Sequence, residues 1–222
     1  MTRVISIANS KGGVGKSTIT MLLASAFAKH LQKKVLILDT DSQESVTKWH
    51  ESEKHFYDTD SLVTVERIMP AHVRMYLDKF GEDFDIVFID VPRMTDGVKE
   101  TANVQLLYYC DSILIPVLGS RLDVMSTKDF YSIVQDAAKK KEEMGYDYTV
   151  YAFMNRVGSR KDNSTAKELI GDKLGIPVMD TVIKDLKIFT TPSLFESILD
   201  TKEGKNRFEE FYKEVIAKLK LK

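Results

Sequence analysis

Hydrophobic residues fall along this chain in short, nearly unbroken runs, separated by longer stretches where apolar positions recur with helical spacing. The clear runs are Val4–Ala8, Val35–Leu38, Ile86–Ile89, Ile113–Val117 and Val150–Met154. They do not alternate with polar residues, which marks strands covered on both faces. Between them the period predicts helices over Ser17–Gln32, Glu44–Glu53, Ala71–Phe80, Val98–Tyr109, Ser126–Met144 and Ser164–Leu174. Strand–helix alternation predicts an α/β fold of three layers, a mainly parallel twisted sheet with right-handed crossovers and helices on both faces. Phe56–Met69 fits a short edge strand or a loop. After Gly175-Ile176-Pro177 the pattern loosens. It returns in a last amphipathic helix carrying Phe208, Phe211, Tyr212, Val215, Ile216 and Leu219.

No Pro/Ser-rich linker, repeat or low-complexity tract interrupts the 222 residues, so one domain over 1–222 is expected. The single cysteine, Cys110, excludes an intrachain disulfide, a four-cysteine zinc site and an all-cysteine iron–sulfur cluster within one chain. That suits a reducing cytoplasm. The N-terminal residues lack a signal-peptide pattern, and no apolar run approaches the ~20 residues that cross a bilayer. Net charge is -1 and says nothing about partners, but its distribution does. Met1–Leu38 holds six Lys or Arg and no acid, whereas Asp39–Glu100 holds 15 acids against seven bases. A basic, glycine-bearing segment followed by an acidic one suits an anion followed by a metal or a proton acceptor.

The most informative stretch is Lys11-Gly12-Gly13-Val14-Gly15-Lys16-Ser17-Thr18, placed after a strand and before a helix. Glycines let the backbone close on phosphate oxygens with several N–H groups pointing inward. The following helix aims its N-terminal dipole at the same oxygens. Lys16 is expected on the β- and γ-phosphates, Ser17 on Mg²⁺ and Thr18 on the α-phosphate. Downstream, Asp39 and Asp41 end a strand, where ligands of open α/β sheets sit; an ordinary helix cap with Ser42 is the alternative. Asp85-Ile86-Val87-Phe88-Ile89-Asp90 is a Walker B pattern, in which Asp90 holds Mg²⁺ through water.

Ser10 stands where the usual motif has its first glycine, and Lys11 is an additional lysine. This form resembles the deviant Walker A motif of the ParA/MinD family of P-loop ATPases. The resemblance extends to Asp39-Thr40-Asp41-Ser42-Gln43, with Ser42 replacing a proline, and to Pro177–Ile183, so it covers about Arg3 to Leu199. It implies a P-loop NTPase fold, ATP and Mg²⁺ as ligands, and a homodimer formed with ATP. Lys11 would act in trans on the partner's nucleotide, unless it is merely an exposed loop lysine. Asp41 would position the attacking water, Asp39 would support Mg²⁺ and the loop, and Asn155 would meet the adenine edge. Val91-Pro92-Arg93 departs from the family pattern, and Arg93 has no role there.

Within that family, a nitrogenase-type protein needs cluster cysteines, and arsenical-pump relatives carry two halves or metalloid cysteines. A dethiobiotin-synthetase-like enzyme lacks the Lys11 signature. The resemblance to the ParA branch implies nonspecific DNA binding through Lys184 and Lys187, if these are not simply a solvated loop. It also implies plasmid or mobile-element partitioning, a DNA-bound ParB-type activator and a nucleoid-associated ATP state. No stable membrane insertion is expected. The alternative is a MinD-like ATPase positioning or assembling a membrane or conjugation complex, for which Phe208–Lys222 would be the membrane helix.

Overall fold

The computed structural model describes residues 2–93, 101–158 and 166–221. Each expected apolar run is a strand: β1 (Arg3–Ile7), β2 (Val35–Asp39), β4 (Ile86–Asp90), β5 (Ser112–Val117) and β6 (Thr149–Val157). Two more strands complete one seven-stranded sheet, β3 (Thr64–Arg67) and β7 (Val178–Lys184), in the order β3-β2-β4-β1-β5-β6-β7. Every pairing is parallel. The fold class is therefore as expected, a three-layer α/β domain.

The two added strands lie at the sheet's edges. An edge strand leaves much of its surface to solvent, so it carries no continuous apolar run. β3 is mostly exposed, and β7 buries only Met179 and Ile183. That is why Phe56–Met69 is ambiguous in sequence and why the pattern loosens after Pro177.

The helices are α1 (Lys16–His30), α2 (Ser45–Glu53), α3 (Val73–Phe80), α4 (Thr101–Tyr109), α5 (Arg121–Glu143) and α6 (Lys202–Leu219). A helical segment at 166–174 contains a π-turn at Leu169–Lys173. The first residues of the helices expected from Val98 and Ser164 lie outside the described residues. α5 starts five residues before the expected Ser126. Ser120 and Asp123 form a reciprocal capping box at its start, a polar signal that hydrophobic periodicity does not register.

The sheet separates two cores. On one side α1 packs on β1, β2 and β4 and α6 packs on β7, with Phe27 stacked on Phe88 at 6.0 Å and tilted on Tyr212 at 5.7 Å. On the other side α3, α4 and α5 cover Leu36, Val87, Ile113 and Ala152. Phe208, Phe211, Tyr212, Val215 and Leu219 of α6 are all buried in the first core. That apolar stripe packs the domain, and so it is not available as a membrane face. Among the described residues no helix is long and apolar enough to cross a membrane.

Candidate functional site: a phosphate cradle at the C-terminal edge of the sheet

β1 sits in the middle of the sheet, so the loop that follows it emerges between the C-terminal ends of β4 and β5. Gly13 and Gly15 hold φ of 73° and 92°, left-handed values that a side chain would strain. A Cβ on Gly15 would also lie 2.5 Å from Asn155 Nδ2. Val14, buried between these glycines, pins the loop to the core. α1 then begins at Lys16, directing its free N–H groups at the cradle.

Lys16 Nζ donates to the Lys11 carbonyl at 3.2 Å across the loop. Burial pulls its pKa below the ordinary lysine value, the charges of Asp90 and Asp41 pull it back up, and the Arg93 charge lowers it again. Ser17 Oγ donates to Asp90 Oδ2 at 2.8 Å. Asp90 is fully buried, and burial raises its pKa to about 7 against the opposing bond from Ser17. Among the described residues its other oxygen, Oδ1, has no hydrogen-bond partner. An orphaned carboxylate oxygen beside a serine hydroxyl fits Mg²⁺, which takes one or two protein oxygens and fills its shell with phosphate and water.

Asp39 pairs in register with Asp90 on the neighbouring strand, which brings the two acids side by side. Asp39 Oδ2 accepts from the Thr47 amide at 2.9 Å and the Thr47 hydroxyl at 2.8 Å, while Oδ1 accepts from the Asp41 amide at 3.3 Å. These bonds tie β2 to α2, the loop-supporting part of its expected role. Asp41 lines the cleft at the end of this loop, with Oδ1 accepting from the Gln43 amide at 2.9 Å.

The cleft holds about 590 Å³. Its polar end is made by Gly12, Gly13, Gly15, Lys16, Ser17 and Thr18, with Asp41 and Arg93 facing them. Its other end is walled by Met21, Trp49, Ile183, Leu186, Phe189 and Pro192. Trp49 Nε1 donates to the Pro192 carbonyl at 2.7 Å, closing that wall between α2 and the 190s segment. These apolar residues carry no local motif, and only the fold brings them together.

Three further residues bear on the loop. Asn155 lines the cleft, but its Nδ2 donates to the Val14 carbonyl at 2.7 Å and its side chain is buried. Through that bond the amide holds the phosphate loop. Arg156, at φ 52°, reinforces the same loop by donating to the Gly13 carbonyl at 3.2 Å while pairing with Asp185. Lys11 does not line its own cleft; its ammonium is ion-paired to Asp123 at the start of α5. Burial raises the Asp123 pKa, and the bonds from Lys11 and Ser120 more than offset that, leaving the carboxyl below its ordinary value. The Ser120-x-x-Asp123 capping pattern is the one signal in the sequence that marks this carboxylate.

Lys184 ends β7 and Lys187 follows it; both are exposed, and neither is in an ion pair among the described residues. Lys184 also borders the cleft.

The CobQ/CobB/MinD/ParA nucleotide binding domain model matches residues 5–198. The chain belongs to this family. Members are P-loop ATPases. Among relatives, the "Maintenance of carboxysome distribution protein A" of Halothiobacillus neapolitanus is 25% identical over 185 residues, covering 83% of this chain and 81% of that one. The ATP complex of a Cyanothece McdA point variant superposes with TM-score 0.76 at 18% identity, covering 100% of this chain and 97% of the other. A putative plasmid partition protein of Borrelia burgdorferi B31 bound to AMPPNP gives TM-score 0.70 at 19% identity, covering 96% and 100%. At these identities the two structures show the shared fold.

Proposed function

We propose that this family member is an ATP-switched positioning ATPase. In this reading it dimerises on ATP with Mg²⁺, binds DNA without sequence preference, and hydrolyses ATP when a partner stimulates it, so distributing a DNA cargo. The carrying observation is the division of labour between the loop's two lysines. Lys16 serves the chain's own cleft, while the Lys11 ammonium projects out of it toward α5. A cation on the loop that does not serve its own phosphates suits a second pocket brought face to face.

The chemistry follows from the site. Lys16 neutralises the β- and γ-phosphates, and Ser17 with Asp90 would hold Mg²⁺, which supplies charge neutralisation across the same oxygens. Asp41, free of ion pairing among the described residues, orients the attacking water. Lys11 of the second copy neutralises charge in the transition state, as an arginine finger does elsewhere. The apolar wall takes the base, a flat ring system that needs burial more than charge. Lys184 and Lys187 are unpaired cations suited to backbone phosphates, which would make DNA binding fall steeply with salt.

The names of the relatives point to positioning with two kinds of cargo, a carboxysome and a plasmid. A ParB-type, DNA-bound activator belongs to the plasmid reading adopted here. The protein-body cargo named for the Halothiobacillus relative is the second reading. The test is retention of random duplex DNA with AMPPNP, with ADP and without nucleotide, from low to moderate salt, beside anionic liposomes. Retention only with AMPPNP, lost in a Lys184→Ala/Lys187→Ala double variant, supports the proposal. Liposome binding without DNA retention refutes it.

A further inference from the structure

Arg93 follows the metal-facing Asp90 by three residues, and the ParA/MinD pattern gives it no task. Its guanidinium lies directly over Gly12: a Cβ built on that glycine would come within 1.9 Å of an Arg93 terminal nitrogen and 2.3 Å of Cζ. No other residue type at position 12 leaves room for it there. The group faces the phosphate cradle beside Lys16, whose proton affinity it lowers. Among the described residues, Arg93 takes part in no ion pair and no side-chain hydrogen bond. Of the acids around the cradle, Asp90 is committed to Ser17, Asp39 to Thr47 and Asp123 to Lys11, and Asp41, which lines the same cleft, forms no ion pair with Arg93.

A permanently charged, planar group with five unpartnered donors, set into a phosphate cradle, suits bidentate contact with phosphate oxygens. The order of the loop says which phosphate. Thr18 at one end serves the α-phosphate and Lys16 the β and γ, so the terminal phosphate lies toward the loop's start, at Gly12. We propose that Arg93 is a γ-phosphate ligand supplied by the chain to its own nucleotide. It would make the site prefer ATP over ADP before any second copy arrives. Lys11, held on Asp123, cannot supply that contact in the same chain without first leaving its carboxylate. The assignment rests on ATP binding in this cleft.

The test is equilibrium titration with AMPPNP and with ADP, both with Mg²⁺, for wild type, Arg93→Ala and Arg93→Lys. Each is repeated with Lys11→Ala added, so that a lost dimer cannot imitate a lost contact. Charge-assisted hydrogen bonds of this kind predict that Arg93→Ala weakens AMPPNP by about tenfold or more and ADP by less than about twofold. Arg93→Lys should recover only part of the loss, because an ammonium lacks the planar fork. Because Arg93 is exposed and unpaired, thermal melts of the variants without nucleotide should match wild type. Equal weakening of both nucleotides, or tighter AMPPNP binding by Arg93→Ala, overturns the assignment while leaving the ATPase reading intact. Wild type that binds neither nucleotide would overturn both.

Discussion

Replacing Asp90 by asparagine probes a carboxyl whose charge the fold disfavours. The carboxyl is fully buried between Ser17 and Asp39, with one oxygen unpartnered, and its pKa rises from an ordinary 3.8 to about 7. That gap is worth roughly 4 kcal/mol between the two protonation states. The native state therefore holds a proton that the unfolded chain releases as pH climbs past about 4. Stability from this group is fully present below pH 4, falls through the window from about 4 to about 7, and is gone above it. Asp90→Asn cannot ionise, so the window disappears. Relative to wild type, the variant should be stabilised by up to ~4 kcal/mol at pH 8, less the ~1–3 kcal/mol of any amide hydrogen left unpaired. At pH 4 the two should differ by that amide cost alone. Urea unfolding with EDTA and no nucleotide, at pH 4, 5, 6, 7 and 8, measures the difference, in which titrating groups that do not interact with Asp90 cancel. A variant–wild-type difference that stays flat with pH would refute the assignment of a proton to buried Asp90. In the same protein, Mg²⁺ should no longer strengthen ATP binding.

The Lys11–Asp123 pair must break before Lys11 reaches a second pocket, and a half-exposed pair of this kind is worth ~1 kcal/mol. Asp123→Asn should therefore tighten AMPPNP-dependent dimerisation by about fivefold per subunit, while Lys11→Ala should abolish it and leave monomer binding of nucleotide intact. Sedimentation velocity checks both, and a normal dimer from Lys11→Ala would sink the trans role. Asn155→Ala leaves the buried Val14 carbonyl without its donor, a cost of about 1–3 kcal/mol. ATP and GTP affinities should then fall together in fluorescence titrations, because the loop itself slackens; loss of ATP over GTP preference alone would return Asn155 to the adenine.

Much of this was legible in the chain itself. Nearly continuous apolar runs determined the five central strands, since a strand buried on both faces tolerates a polar residue only where a partner satisfies it, as the Ile89 carbonyl does Ser6. The loop from Lys11 to Thr18 determined the phosphate cradle, because glycines at fixed offsets are what the backbone needs to close on an anion. Both depend on neighbours in sequence. What depends on neighbours in space was decided by the tertiary structure. The edge strands β3 and β7 exist because β2 and β6 offer them hydrogen-bonding partners, which their half-exposed sequences do not announce. Asp39 and Asp41 carry the same side chain two residues apart. Register beside Asp90 and the amide of Thr47 bind one into the fold and leave the other facing the cleft. Asn155 meets a carbonyl 141 positions away, Lys11 a carboxylate 112 away, and Arg93 a glycine whose missing side chain makes its room. Short-range pattern sets which elements form; which charges are satisfied, and which remain free for a ligand, follows only once the sheet has put distant strand ends at one edge.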